Sequence, residues 1–289
     1  MSAVPERVGV LGGGRMGAGI AHAFLTSGAA VVVVEQKPEW ADAAYERIAA
    51  SVRTSIARGA VDESESDLLG RLRVSTDKSV FAGAGLVVEA VPEDFALKST
   101  ALAEAEQQLD DGAWLATNTS SLSLARLAGE LARPERFGGL HFFNPVPASA
   151  LVEIVVAEAT SPDYAVQAAE WVQALGKTAI TVRDSPGFAS SRLGLAIALE
   201  AMRMVEEGVA DAADIDAAMT LGYRHPVGPL RTSDLVGLDV RLGIARYLHE
   251  TIGPRFEPPQ ILIDLVAEGA LGRKSGRGFF DYDEDGAAR

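Results

Sequence analysis

Apolar and polar residues alternate in blocks along the first two thirds of the chain. Short runs rich in β-branched residues are separated by longer segments in which apolar residues recur every three or four positions. This pattern is typical of a parallel sheet covered by helices, because strands buried on both faces are apolar throughout. It predicts strands near 7–11, 30–35, 85–91, 113–117, 137–142, 151–156 and 178–182. It predicts helices over 15–27, 39–58, 94–109, 122–131 and 162–174.

The pattern changes at 184–188, where a Pro-Gly pair follows the last predicted strand. Such a pair interrupts regular structure. Helical periodicity then covers 189–206, 211–221, 232–250 and 259–268, before one short apolar run at 278–282 that reads as strand-like. We therefore expect an α/β domain with a mainly parallel sheet over 1–184 and an all-helical domain over 185–289.

Composition narrows the classes of partner. The chain has 289 residues, a formal net charge of -14 and no cysteine. An acidic surface repels nucleic acid and anionic membranes, so neither is an expected partner. The absence of cysteine excludes disulfides and thiolate metal sites, and we predict no metal site. The start of the chain lacks a basic segment followed by an apolar one, and no apolar run could span a bilayer, so we expect a cytoplasmic protein.

A glycine-rich turn lies between the first strand and the first helix. Gly12, Gly14 and Gly17 form G-x-G-x-x-G, with Met16 between the last two. The first glycine permits a tight turn, the second lets the backbone approach a pyrophosphate, and the third lets the helix pack closely on the strand. The helix N-terminus then offers N–H groups to phosphates. The motif in this position predicts a Rossmann-like dinucleotide site.

The second strand ends in Glu35, eighteen residues after Gly17. A carboxylate at this place accepts hydrogen bonds from the hydroxyls of an adenine ribose and repels a 2'-phosphate. This favours NAD over NADP as the cofactor. Lys37, two residues further on, could contact a phosphate and keeps NADP open as an alternative.

Two apolar strands each contain one titratable residue. His141 lies at the end of the strand 137–142, and Glu153 lies inside 151–156. A buried carboxylate needs a partner. If the two strands are neighbours, Glu153 can bind one ring nitrogen of His141 and leave the other facing a substrate, as in general-base catalysis. The polar cluster at 117–122 follows another strand; it can cap the next helix, face a ligand, or do both.

At these residues the chain resembles the 3-hydroxyacyl-CoA dehydrogenase family, most closely its bacterial 3-hydroxybutyryl-CoA members. The resemblance runs over nearly the whole chain. It is carried by the segments 12–21, 88–93, 118–122, 141–147, 186–188, 225–230 and 271–279.

The resemblance implies that the chain oxidises the 3-hydroxyl of an acyl-CoA, passing hydride to NAD. It implies that His141 is the general base, that Glu153 orients it, and that Ser120 hydrogen-bonds the reacting oxygen. Glu93, Lys98, Ser120 and Asn144 then line the nicotinamide half of the cofactor site.

The resemblance also implies where the substrate binds. In the family an Asn-Arg pair follows Pro-Gly-Phe, and that Asn is a substrate-site residue; here Ser191 takes its place before Arg192. Serine is shorter and can reach the substrate through water. Arg53 and Arg58 are candidates for binding the phosphates of CoA. The helical domain resembles the one through which the family forms homodimers, with Leu193, Leu195, Ile197 and Leu199 available for an interface or for the core.

Two other functions remain open at this point. A sugar-acid dehydrogenase of the L-gulonate 3-dehydrogenase type resembles this family in its cofactor domain and catalytic histidine. A dinucleotide-binding protein that has lost turnover is the other, because Ser191 departs from the family pattern.

Overall fold

The computed structural model describes residues 4–283. The chain divides into two compact units, Met1–Ser185 and Pro186–Arg289. The first is built on a sheet and the second on helices.

The first unit contains one eight-stranded sheet. Its strands are β1 (Arg7–Leu11), β2 (Ala30–Val34), β3 (Leu72–Ser75), β4 (Leu86–Glu89), β5 (Trp114–Thr117), β6 (Phe137–Phe142), β7 (Leu151–Val156) and β8 (Thr178–Arg183). They lie in the order β3-β2-β1-β4-β5-β6-β7-β8. Every neighbouring pair is parallel except β6 and β7, which are antiparallel. The order reverses between β1 and β4, so the sheet is doubly wound with its switch point there.

Helices pack against this sheet and bury its apolar strands. They are α1 (Arg15–Thr26), α2 (Pro38–Ala57), α3 (Glu65–Gly70), α4 (Phe95–Glu106), α5 (Leu124–Ala128) and α6 (Pro162–Ala174). The main core joins residues of β1, β2, β4 and β7 to the buried faces of α1 and α2. Two elements were absent from the sequence prediction, the short helix α3 and the edge strand β3. Strand β3 is only partly buried, so it lacks the apolar run that marks the central strands.

The second unit consists of α7 (Ser190–Glu206), α8 (Ala212–Ala217), α9 (Pro229–Val236), α10 (Leu238–Ile252) and α11 (Gln260–Ala267). The helix predicted over 232–250 is wrong as one element, because Gly237 has a φ of +108° and separates α9 from α10. The predicted helix 211–221 ends earlier in α-helical form and continues as a π-helical turn, Ala218–Gly222. The run 278–282 forms isolated bridges instead of a strand.

Across residues 4–283, none of the helices combines the length and the apolar character that crossing a bilayer would require.

Candidate active site

The candidate site lies at the edge of the sheet where the parallel strands end. β1 ends next to β4, and the register pairs Leu11 with Glu89 and Glu89 with Thr117. β6 lies beyond β5 in the same direction. The segments after β1, β4, β5 and β6 therefore emerge side by side. In open α/β sheets ligands bind at this edge, beside the switch point.

The glycine turn after β1 has the shape that the motif requires. Gly12 has a φ of +94°, which favours glycine. A Cβ on Gly17 would lie 1.7 Å from the carbonyl oxygen of Gly12, so only glycine permits this contact between helix and turn. A Cβ on Gly14 would have nothing within 4 Å, and no side chain caps the N-terminus of α1. The turn thus leaves space and N–H groups for a phosphate, and these residues fit a dinucleotide.

Glu35 follows β2 and lies against this turn. Its Oε1 accepts a hydrogen bond of 2.7 Å from the backbone N–H of Gly13. Its Oε2 accepts a longer one of 3.3 Å from the N–H of Gln36. The ammonium group of Lys37 lies over the ring of Trp40, 4.8 Å from its centroid. The acid therefore lies beside the glycine turn, and the lysine packs on the first turn of α2.

His141 and Glu153 form a buried pair on the two antiparallel strands. They are direct partners in the register of β6 and β7. His141 Nδ1 and Glu153 Oε2 are 2.7 Å apart. Glu153 is fully buried and His141 is 6% exposed. A carboxylate on Nδ1 fixes the tautomer of the ring and stabilises its charged form, so this pair can move a proton at Nε2.

Glu93 holds the loop that carries Ser120. Its Oε1 accepts hydrogen bonds from the Thr119 hydroxyl at 2.6 Å, from the Ser120 backbone N–H at 2.9 Å and from the Ser120 hydroxyl at 3.2 Å. Ser121 adds its N–H and its hydroxyl, both at 3.2 Å. Five donors thus converge on one carboxylate oxygen, which fixes the backbone after β5.

Lys98 joins Glu93 to a second, buried acid. Its Nζ lies 2.7 Å from Glu89 Oε1, 3.4 Å from Glu93 Oε2 and 3.0 Å from the carbonyl oxygen of Val91. Glu89 is fully buried, and Lys98 is 1% exposed. Glu89 also accepts hydrogen bonds of 2.6 Å from the Val91 N–H and from the Thr117 hydroxyl.

Burial and charge act in opposite directions on the two acids. Burial raises the pKa of Glu89 above its usual value, while Lys98 and the hydrogen bonds oppose that rise. Desolvation also raises the pKa of Glu93, but the charge of Lys98 and the hydrogen bonds from Thr119 and Ser120 outweigh it, so the pKa of Glu93 lies below its usual value.

Four further residues predicted for the site also belong to the first unit. Asn144 is exposed and comes two residues after the end of β6. Met16, in the first turn of α1, packs against the core. Arg53 is bound to Glu65 at 3.1 Å and lies 3.9 Å from Glu46, so acids already surround it. Arg58 is exposed at the C-terminal end of α2.

In the second unit, Ser191 is half-buried in the first turn of α7. Of the four apolar residues named for an interface, Leu195 and Leu199 are fully buried in the core of this unit. Leu193 and Ile197 are 65% and 39% exposed. Only the latter two therefore present a surface.

No three His, Asp or Glu side chains within residues 4–283 come together as a set of metal ligands.

Sequence reasoning gave no individual role to Glu89, Asn118 or Thr119, although the last two lie in the polar cluster 117–122. The amide oxygen of Asn118 accepts a hydrogen bond of 2.8 Å from the N–H of Phe142, which ties the end of β5 to the end of β6. Glu89 carried a usable signal, since it is a lone carboxylate at the end of an apolar strand, as Glu153 is. The roles of Asn118 and Thr119 depend on contacts between strands that lie far apart along the chain.

A doubly wound sheet with a G-x-G-x-x-G turn at its switch point defines a dinucleotide-binding protein. A family model described as the 3-hydroxyacyl-CoA dehydrogenase NAD binding domain matches residues 7–185. A second model, described as the C-terminal domain of 3-hydroxyacyl-CoA dehydrogenase, matches residues 187–282. The chain belongs to the 3-hydroxyacyl-CoA dehydrogenase family, which confirms the resemblance, the predicted fold class and the choice of NAD.

Relatives match over their full length. A 3-hydroxybutyryl-CoA dehydrogenase of Mycobacterium tuberculosis is 42% identical over 286 residues, which cover 98% of this chain and 100% of the relative. A probable 3-hydroxybutyryl-CoA dehydrogenase of Deinococcus radiodurans is 40% identical, covering 96% and 100%. The crystal structure of an (S)-3-hydroxybutyryl-CoA dehydrogenase from Ralstonia eutropha superposes with a TM-score of 0.93 at 35% identity, covering 97% of this chain and 100% of that one.

Proposed function

We propose that the chain is an NAD-dependent 3-hydroxyacyl-CoA dehydrogenase that acts on a short-chain substrate, 3-hydroxybutyryl-CoA. The observation that carries this is the buried His141–Glu153 pair, with Nδ1 and Oε2 2.7 Å apart, at the sheet edge where the glycine turn also lies. Relatives named for this activity, similar over their whole length, support the substrate class.

The residues of the chain divide the proton chemistry between them. NAD, when bound, supplies the hydride acceptor. His141 takes the 3-hydroxyl proton at Nε2, and Glu153 stabilises the imidazolium that results. In the reverse direction the imidazolium returns the proton to the ketone oxygen. Ser120 hydrogen-bonds the reacting oxygen, held in place through Glu93.

The proposed cofactor-binding residues lie on both sides of the switch point between β1 and β4. Gly12, Gly14 and Gly17 bind the pyrophosphate together with the N-terminus of α1, where Met16 lies. Glu35 binds the adenine ribose and excludes a 2'-phosphate. On the other side of the switch point the nicotinamide half is lined by Glu93, Lys98, Ser120 and Asn144.

The proposed substrate-binding residues and dimer interface involve both units of the chain. Ser191 contacts the substrate in place of the family's Asn, and Arg53 and Arg58 bind CoA phosphates. The chain forms a homodimer through its helical unit, with the exposed side chains of Leu193 and Ile197 at the interface. We place the enzyme in the cytoplasm.

The test is oxidation of NADH with acetoacetyl-CoA, measured as the loss of NADH absorbance. Wild-type chain should turn over acetoacetyl-CoA, and longer 3-ketoacyl-CoAs more slowly, while His141→Gln should lose nearly all activity. Formation of NADH from NAD and L-gulonate, without turnover of acetoacetyl-CoA, would instead show a sugar-acid dehydrogenase. NADH binding without turnover of either substrate would show a protein that only binds the dinucleotide.

A further inference from the structure

Three acceptors surround the ammonium group of Lys98. An ammonium group has three N–H donors. Here Nζ has three acceptors, Glu89 Oε1 at 2.7 Å, the Val91 carbonyl oxygen at 3.0 Å and Glu93 Oε2 at 3.4 Å. Each donor therefore has a partner, although the side chain is almost completely buried.

The hydrogen bonds around both acids favour their carboxylate forms, and at Glu89 they oppose the burial that raises its pKa. The Thr117 hydroxyl oxygen accepts a 3.2 Å hydrogen bond from the Thr119 N–H, which directs its own proton to Glu89 Oε2 at 2.6 Å. Glu89 Oε1 receives the Val91 N–H and the ammonium group. Every described contact to Glu89 is thus a donor, which stabilises the anion. Glu93 likewise accepts from five donors.

Two carboxylates and one ammonium leave a net charge of -1 in this group. We call Glu89, Lys98 and Glu93 the acid–lysine cluster. One negative charge is not neutralised within it, since among residues 4–283 Lys98 is the only cation that forms an ion pair with either acid.

The cluster lies on one side of the switch point. A Cβ on Gly12 would lie 3.0 Å from the carbonyl oxygen of Ala90 and 3.1 Å from the N of Val91, so the glycine turn borders the cluster directly. A dinucleotide crosses a doubly wound sheet at the switch point, with one nucleotide on each half. Glu35 follows β2 on the adenosine half. The cluster follows β4 and therefore lies on the nicotinamide half.

We infer that the acid–lysine cluster biases the site toward the oxidised cofactor. The oxidised nicotinamide ring carries one positive charge, and the reduced ring carries none. A fixed net charge of -1 on that half attracts the first and is indifferent to the second. The inference rests on the proposed function, and it makes Glu89, which is fully buried, a positioning residue that contributes to this charge.

The experiment measures the dissociation constants of NAD and NADH separately by calorimetry, without substrate. Glu89→Gln and Glu93→Gln each remove one negative charge, but only the second changes the contacts to Ser120. Both should raise the ratio of Kd for NAD to Kd for NADH by roughly fivefold to tenfold. Glu93→Asp keeps the charge and should leave the ratio within twofold.

A control removes one negative charge from α4, the helix that carries Lys98. Glu104 lies on α4 and pairs with Lys78 at 2.9 Å, so Glu104→Gln should leave the ratio unchanged. A ratio that moves in Glu93→Gln but not in a folded Glu89→Gln would overturn the inference and assign the effect to the lost hydrogen bonds. If Glu89→Gln does not fold, the comparison of Glu93→Gln with Glu93→Asp decides the question. If wild-type chain binds neither form, the proposed function fails; if it binds both and the ratios stay equal, only this inference fails.

Discussion

Glu153→Gln separates the charge of the proposed catalytic pair, His141 and Glu153, from its shape. The amide has the length of the carboxylate and fills the same buried space between β6 and β7. It can still accept a hydrogen bond from His141 Nδ1, but it carries no charge. It can also turn its NH₂ group toward Nδ1, which would favour the wrong tautomer of the ring.

The expected loss of kcat in Glu153→Gln follows from the burial of the His141–Glu153 pair. A hydrogen bond to a charged group contributes about 1.5–3 kcal/mol, against about 0.5–1.5 kcal/mol for a neutral one. Glu153 is fully buried, so solvent does not screen the difference. Loss of the charge, together with the population of the wrong tautomer, should raise the barrier by about 2–4 kcal/mol. That lowers kcat by roughly 30- to 1000-fold.

The assay is steady-state oxidation of NADH with acetoacetyl-CoA, with the Kd for NADH measured in parallel. The Kd should stay within about twofold of the wild-type value, because the pair acts on the proton and not on the dinucleotide. The double variant with His141→Gln should be no slower than His141→Gln alone, because the two residues act as one unit.

A matched control removes a buried carboxylate elsewhere. Glu106 accepts hydrogen bonds of 2.8 Å from the N–H groups of Ala132 and Arg133. Glu106→Gln should lower thermal stability and leave kcat unchanged. The reasoning is refuted if Glu153→Gln keeps kcat within threefold of the wild-type value, or if its loss adds in full to that of His141→Gln.

Three further predictions concern other parts of the chain. Glu35→Asn removes the negative charge that we propose repels a 2'-phosphate, so the ratio of kcat/KM for NAD to that for NADP should fall at least roughly tenfold. An unchanged ratio would show that Glu35 does not select the cofactor. Gly17→Ala places a Cβ 1.7 Å from the Gly12 oxygen and should lower the Tm. Gly14→Ala meets no atom within 4 Å and should weaken NADH binding at an unchanged Tm. If the two variants had equal effects on Tm and on NADH binding, the assignment of Gly17 to packing and Gly14 to the cofactor would be contradicted. Partial burial raises the pKa of Asp239, but the hydrogen bond and charge of Lys274, together with backbone hydrogen bonds, outweigh it and hold that pKa below its usual value. The carboxylate therefore stabilises the fold at pH values above its unfolded pKa, and this stabilisation is lost as pH falls through the folded pKa. Asp239→Asn should therefore lower the free energy of unfolding in urea by about 0.5 kcal/mol at neutral pH and leave it unchanged at acidic pH. A destabilisation that grows as the pH falls would contradict this prediction.

Local signals explain what the sequence could predict. The central strands are apolar because both faces are buried, and the glycine turn needs glycine at Gly12 and Gly17 for reasons of backbone angle and contact distance. The possible pairing of His141 with Glu153 was visible because each is the only titratable residue in its strand. These features depend on a few residues that are close in sequence, so the residue pattern along the chain is enough to predict them.

Features that depend on tertiary contacts could not be predicted from the sequence. Strand β3 has only Leu72 and Val74 as apolar residues, and its pairing with β2 makes it a strand. The break at Gly237 interrupts a helical period that continues on both sides, so only its positive φ reveals it. Lys98 reads as an ordinary helix residue, and its burial depends on Glu89, which lies on a different element of the fold.

The direction of β7 decides whether His141 and Glu153 can form a pair. Residues 143–150 return the chain beside β6, so β7 runs antiparallel to it and Glu153 falls opposite His141. Side chains alternate between the faces of a strand, so a slip of one residue would turn Glu153 to the other face. Lys177, just before β8, donates hydrogen bonds to the carbonyl oxygens of Val146 at 2.7 Å and Ser149 at 2.5 Å in this connection. Lys177 therefore stabilises the connection between β6 and β7, and with it the register that places Glu153 opposite His141.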